Sequence, residues 1–249
     1  MSNLNHERIQ RFLKHPVTLR VFDSIDSTNT YAKAWAREGA MTPAVVIASQ
    51  QTAGRGRLGR SFFSPEGGLY LSLIVPSNGF SPGNFTTLAA VAACNAIRSV
   101  TGLKTDIKWV NDLLLKGKKV CGILAEGVIL NQALSYIVIG IGINTGPVDF
   151  PKELRDIAGT LHQQNHPVDR EQLVACLINE ILNALPNMPA HMPTYRSKCI
   201  TIGRKVSFIN EGKQTTGHAV TVDDDGALLV ETKIGTVRLV AGEVSLLKE

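Results

Sequence analysis

The sequence predicts an α+β protein: a mixed sheet packed with helices over residues 1–199, followed by a small β-barrel over residues 200–249. Two patterns predict this. In the first part, short apolar runs alternate with longer segments of helical periodicity. From Ile202 onward only short alternating runs occur, separated by turn residues. A chain of 249 residues accommodates one α/β domain with a small appendage.

Residues 1–20 are a lead-in with room for a helix turn or two and an edge strand. Asp26-Ser27-Thr28-Asn29 supplies N-cap residues for a helix over Tyr31–Arg37, closed by Gly39. Ala44–Ser49 is a buried strand that runs into a basic, glycine-rich stretch, and Leu69–Val75 is the next strand. Pro76–Gly83 is turn-rich. Thr86–Thr101 is an alanine-rich helix ending at Gly102. Thr105–Val110 is a strand leading to Asn111-Asp112. Leu113–Leu115 and Val120–Leu130 flank a lysine-rich hairpin turn, and Leu134–Ile143 is a further strand. Asp169–Leu185 is the clearest amphipathic helix, with Leu173, Cys176, Leu177 and Ile181 along one face. Pro186, Pro189 and Pro193 then mark irregular chain. Strands follow at Lys205–Ile209, Gly217–Val222, Ala227–Glu231 and Thr236–Val240, with turns at Asn210–Lys213, Asp223–Gly226 and Lys233–Gly235.

Composition narrows the function classes. The net charge of +5 suits acidic partners and does not by itself indicate nucleic acid. Cys94, Cys121, Cys176 and Cys199 are scattered without a C-x-x-C pair, as expected of reduced thiols in a cytoplasmic protein. No secretory signal and no membrane-length apolar run is present. The histidines lack metal-ligand spacing and no GxSxG elbow occurs, which argues against a zinc or serine hydrolase.

Four clusters carry candidate chemistry. Gln51–Phe62 (QTAGRGRLGRSF) alternates Gly54, Gly56 and Gly59 with Arg55, Arg57 and Arg60 and holds no acidic residue. Guanidinium forks match carboxylate and phosphate oxygens, and glycine lets backbone N–H groups approach an anion. A solvated basic turn is the commoner reading of nearby arginines. The preceding apolar strand and the alternating glycines favour an anion-binding loop instead. Lys108-Trp109-Val110-Asn111-Asp112 ends a strand, and Lys119 opens the next one. An exposed turn accounts for Lys116 and Lys118, whereas strand alternation can aim Lys119 into a site. Gly140-Ile141-Gly142-Ile143-Asn144 suggests close approach of a ligand or chain, although packing explains Gly140 equally well. Ser27-Thr28-Asn29 is by default a helix cap, and it can also hydrogen-bond a polar ligand.

Taken together, DSTN at 26–29, QTAGRGRLGR at 51–60, KWVND at 108–112, KVCGIL at 119–124 and GIGIN at 140–144 resemble the biotin–protein ligase (biotin–[acetyl-CoA-carboxylase] ligase) family, in its motif order. GEVSL at 242–246 fits that family's small SH3-like barrel. The resemblance implies a class II synthetase-like core. It also implies ATP-dependent activation of biotin to biotinyl-5′-AMP, followed by transfer to a lysine of a biotin carboxyl carrier protein. Mg-ATP and biotin would be substrates, with no tightly bound prosthetic group. The resemblance assigns Lys119, Arg55, Arg57 and Arg60 to catalysis. It assigns Ser27, Thr28, Asn29, Gln51, Gly54, Arg55, Gly56, Arg57, Lys119 and Gly122 to biotin. It assigns Arg57, Arg60, Phe62, Lys108, Asn111, Lys119 and Asn144 to ATP, with Asp112 on the magnesium. Residues 54–62 would order over the bound intermediate, with Arg55 anchoring the closed state.

Two residues depart from the family pattern: Val110 replaces the usual proline, which predicts a looser turn, and Phe62 replaces a tryptophan, keeping an aromatic face for adenine. Only a short segment precedes the DSTN motif, so the resemblance is to the ligase-only form without a DNA-binding domain. A homodimer through an exposed sheet edge stays open. The rival functions are a lipoate- or octanoyl-protein ligase or transferase of the same fold and, in another class, a nucleic-acid-binding protein. Against the latter, Asp223, Asp224 and Asp225 crowd one turn of the barrel segment.

Overall fold

The structure, a computed structural model, describes residues 4–163 and 166–247. Residues 1–3 of the expected lead-in and 248–249 of the expected barrel lie outside the described residues. The chain opens with helix α1 (His6–Phe12), strand β1 (Thr18–Ile25), helix α2 (Thr28–Arg37) and strands β2 (Ala44–Gln51) and β3 (Leu69–Pro76). Helix α3 (Pro82–Thr101) leads to strands β4 (Asp106–Lys108), β5 (Asp112–Leu115), β6 (Lys118–Leu130) and β7 (Ala133–Ile143), then helices α4 (Arg170–Ala184) and α5 (Met192–Lys198). The strands form one sheet in the order β1-β2-β3-β7-β6-β5-β4. The β1–β2 pair is parallel and the others antiparallel, so the sheet is mixed as expected. The β5–β6 hairpin turns on Lys116 and Gly117, both with positive φ, which suits the right-handed twist of its strands.

The alternation of β7 shows how the sheet divides its faces. Ile137, Ile139, Ile141 and Ile143 point into the main core, with Leu69, Leu71 and Leu73 of β3 and the buried faces of α3 and α4. On the opposite face α2 packs Ala32, Trp35 and Ala36 against Val46, Ile74, Val128 and Val138. That helix covers only one end of this face. Gly122, Leu124, Gly140 and Gly142 remain on it as the floor of a cleft. Helix α5 replaces the irregular chain expected there: Pro193 falls in its first turn, where a missing N–H costs no hydrogen bond. Among the described residues no helix is long and apolar enough to cross a membrane.

Strands β8 (Lys205–Asn210), β9 (Lys213–Val222), β10 (Leu228–Thr232), β11 (Gly235–Leu239) and β12 (Val244–Leu246) form a second, antiparallel sheet. Its order is β11-β10-β9-β8-β12. The expected SH3-like barrel is not confirmed: among the described residues the sheet is not closed, because its edge strands β11 and β12 do not pair. The three-residue β12 pairs with β8 alone. The turn at Asp223–Gly226 rests on the first part of the chain. Asn84 Nδ2 donates to the Asp224 carbonyl at 3.1 Å, and Trp109 Nε1 donates to the Gly226 carbonyl at 3.0 Å.

Candidate active site

A cleft of about 590 Å³ opens between the glycine floor, the Arg/Gly loop and the C-terminal sheet, a size suited to a small ligand. Ser27, Thr28, Asn29, Gln51, Arg55, Gly56, Arg57, Arg60, Phe62, Lys108, Asn111, Asp112, Lys119, Gly122 and Asn144 all line it. Gly54 does not; it lies beneath the loop, where an added Cβ would overlap Ser64 Oγ and crowd the Phe62 carbonyl.

Lys119 reaches the cleft for a reason that simple alternation misses. Strict period-two alternation would put Lys119 and Gly122 on opposite faces. A bulge shifts the register: Leu113 faces Cys121 and Leu114 faces Lys119, leaving Val120 as the extra residue. Val120 and Cys121 both turn into the core, and Lys119 comes round to the cleft side. A Cβ placed on Gly122 would lie 3.2 Å from Lys119 Nζ. The ammonium sits 2.7 Å from Asp112 Oδ1 and 5.6 Å from the Phe62 ring centroid.

The Arg/Gly loop forms a small hairpin, with Gly56 N donating to Arg60 O and Phe62 N donating to Gly54 O. Leu58 (φ 55°) and Gly59 (φ 76°) make its tip. The three arginines separate. Arg57 turns inward and donates to Asn111 Oδ1 at 3.3 Å. Burial lowers its pKa even though the charges of Asp112 and Glu243 oppose the shift. Arg60 lies at the rim in an ion pair with Glu243, which immediately precedes β12. Arg55 faces Glu126 of β6, Nη2 to Oε1 3.8 Å.

At the other end of the cleft a buried polar network surrounds the N-terminus of α2. Ser27 caps the helix, accepting from Thr30 N. Thr28 N donates to Gln51 Oε1 at 2.9 Å, and Gln51 Nε2 donates to Ser64 Oγ at 2.9 Å. Ser72 Oγ lies 2.6 Å from Asn29 Oδ1 and 2.8 Å from Thr28 Oγ1. Asn29 Nδ2 donates to Glu126 Oε2 at 2.9 Å. The two GIGIN glycines have separate tasks. A Cβ on Gly140 would overlap Asn29, and one on Gly142 would meet the Phe62 ring. Asn144 is buried, its Nδ2 donating to the Gly159 carbonyl at 2.8 Å.

Family models match at two places. Residues 21–144 match the biotin/lipoate A/B protein ligase family and residues 201–247 match the biotin protein ligase C-terminal domain. The bifunctional ligase/repressor BirA of Bacillus subtilis is 35% identical over 237 residues, covering 90% of this chain and 72% of that protein. The chain belongs to the biotin protein ligase family. A biotin–[acetyl-CoA-carboxylase] ligase of Mycobacterium tuberculosis is 32% identical, with 91% of this chain and 88% of that protein covered. The biotin protein ligase of Aquifex aeolicus in complex with biotin and ATP superposes with a TM-score of 0.80 at 28% identity, covering 93% of this chain and 99% of that one.

The two departures of this biotin ligase family member now have a structural setting. Val110 does not leave its turn loose. Its carbonyl accepts from Tyr195 Oη at 3.0 Å, and Trp109 N donates to Thr201 Oγ1 at 3.0 Å. Phe62 packs over Gly122 and Gly142 and edge-on against Tyr70. Sequence reasoning missed Ser72, Ser64, Glu126 and Glu243. Ser72, Ser64 and Glu126 are polar residues within or beside a strand pattern with no motif of their own, and Glu243 falls in GEVSL, which reads as part of the barrel rather than of the site. It also missed Phe150, Leu154 and Ile157, which line the mouth from chain without periodicity.

Proposed function

We propose that this chain activates biotin with Mg-ATP, forming biotinyl-5′-AMP and pyrophosphate, and then passes the biotinyl group to a lysine of a biotin carboxyl carrier protein. The observation that carries the reading is the convergence of Lys119 and Arg57 on one cleft whose floor is glycine and whose far end is a polar network. In the first step a biotin carboxylate oxygen bonds to the α-phosphorus and the bond to pyrophosphate breaks. An anion must approach a polyanion. Two like charges about 4 Å apart repel by roughly 4 kcal/mol at an effective dielectric near 20. Cations held in place before the reaction offset that repulsion without reorganising. Lys119 is assigned to the carboxylate and the reacting phosphate, and Arg57 to the phosphates. Arg60 joins them from the rim on leaving Glu243.

Thr28, Asn29 and Gln51 are assigned to the ureido ring of biotin, and Gly122 and Leu124 to its apolar body. Phe62, Lys108, Asn111 and Asn144 are assigned to the nucleotide. Among the described residues no cluster of three or more metal-ligating side chains exists. The cleft carboxylate of Asp112 fits a magnesium ion that arrives with ATP and draws most of its ligands from phosphate and water. Asp112 would hold it, and the ion would supply positive charge to phosphate oxygens. In the second step the carrier amine attacks the acyl carbon, AMP leaves and the amine loses a proton. Cytoplasmic location and a homodimer through an exposed sheet edge belong to the same proposal.

The test is to mix the protein with Mg-ATP, an apo carrier domain and either biotin or lipoate. Biotin on the carrier lysine, with pyrophosphate release dependent on biotin, supports the reading. Pyrophosphate release with lipoate alone, or none with either acid, overturns it.

A further inference from the structure

Glu126 lies outside every motif and outside the lining of the cleft, yet it joins the two halves of the site. It sits on β6 seven residues beyond Lys119. At about 3.3 Å per residue that is roughly 20 Å along the strand. It therefore cannot touch the reacting atoms. Its side chain is 21% exposed and both carboxylate oxygens are engaged. Oε2 accepts from Asn29 Nδ2 at 2.9 Å, and Oε1 accepts from Lys33 Nζ at 2.7 Å. Arg55 Nη2 stands 3.8 Å from the same Oε1, too far for a hydrogen bond. A carboxylate oxygen carries two lone pairs, so Oε1 can accept a second donor.

These contacts give Glu126 two functions at once. Through Asn29 it fixes the amide whose Oδ1 meets Ser72, so it orients the floor of the polar network. Through Arg55 it faces a cation on the loop that borders the cleft. Arg55 is 48% exposed, whereas Lys33 is 16% exposed. Lys33 is thus the fixed partner of the carboxylate and Arg55 the one with room to move. Burial pushes the Glu126 carboxyl up. The hydrogen bonds from Lys33 and Asn29 and the charges of Lys33 and Arg55 outweigh this, leaving its pKa below the ordinary value, so the group is charged.

We propose that Glu126 is a positioning residue that latches the Arg/Gly loop: Arg55 closes its gap to Glu126 when the cleft is filled, and the latch retains the acyl-adenylate. This rests on the function proposed above. It predicts energetic coupling between two residues on different elements, which a purely structural carboxylate would not show.

The experiment uses the full chain with biotin and Mg-ATP in the absence of a carrier. The escape of biotinyl-adenylate is followed as AMP accumulation, for wild type, Glu126→Gln, Arg55→Ala and the double variant. Glu126→Gln keeps an acceptor for Asn29 and removes the charge. Each single variant should raise escape about tenfold, and the double variant no further than the larger single one. Lys33→Met should not raise escape, although it removes a partner of the same carboxylate. Melting temperatures of all variants are measured alongside. Unchanged escape in either single variant, or effects that multiply in the double, overturns the latch. A rise with Lys33→Met that parallels its loss of melting temperature does the same. A wild type that forms no adenylate would instead refute the proposed function.

Discussion

Removing the Lys119 ammonium tests the site at its centre. In Lys119→Ala the biotin carboxylate and the α-phosphate would approach without the cation placed between them. Their repulsion at about 4 Å is roughly 4 kcal/mol, which corresponds to about a thousandfold in rate if nothing else compensates. The cost to stability is of a different order. The Lys119–Asp112 pair is 34% and 24% exposed, and a solvent-accessible pair of this kind contributes at most about 1 kcal/mol. The variant should therefore melt within a few degrees of wild type while biotin-dependent pyrophosphate release falls by about a thousandfold. Supplying synthetic biotinyl-5′-AMP should restore most of the transfer to carrier, because the second step no longer requires approach of two anions. Pyrophosphate release within tenfold of wild type would refute the assignment. A collapse of the melting temperature would show that the lysine serves the fold.

Gly140→Ala should weaken biotin binding by calorimetry at least tenfold with ATP binding unchanged. The new methyl overlaps Asn29, a buried side chain tied to Ser72, Leu124 and Glu126, and equal binding would show that Asn29 can move freely. Trp109→Phe removes the donor to the Gly226 carbonyl at 3.0 Å. It should lower unfolding free energy by about 1–3 kcal/mol, and a loss below about 0.5 kcal/mol in a urea titration would mean that the bond does not hold the two sheets together.

The pH dependence of stability should carry a signature of His191. The Thr87 hydroxyl donates to the Asn84 carbonyl and so accepts from His191 Nε2 at 2.8 Å, while His191 Nδ1 is buried without a partner. Burial, then the charge of Arg196, pushes its pKa down to about 4. The unfolded chain takes up this proton near pH 6.5 and the folded one only near pH 4. Its contribution is thus complete above pH 6.5 and is lost as pH falls towards 4. The size is at most about 3 kcal/mol, reduced by solvent on the open side of the ring. His191→Gln should flatten the urea midpoint over that window, and an unchanged slope would assign the acid loss elsewhere.

The sequence by itself determined most of the element types, the family and most of the cleft, but not helix α5 (Met192–Lys198). Helices, strands and turns follow local periodicity, and the five motifs are contiguous in the chain. The glycines of Gly140–Asn144 marked a place of close approach in the sequence, whereas the core and cleft faces of that strand appear only in the fold. What depends on pairing between distant strands was decided only by the tertiary structure. Lys119 shares a face with Gly122 because of a bulge set by the β5–β6 register, which no period-two pattern in β6 reveals. Gly140 and Gly142 are glycines because Asn29 and Phe62, remote in sequence, occupy the space of their side chains. The division of the three arginines among Glu126, Asn111 and Glu243 has the same origin. A guanidinium takes whichever partner the fold brings within reach, and local sequence does not encode that partner.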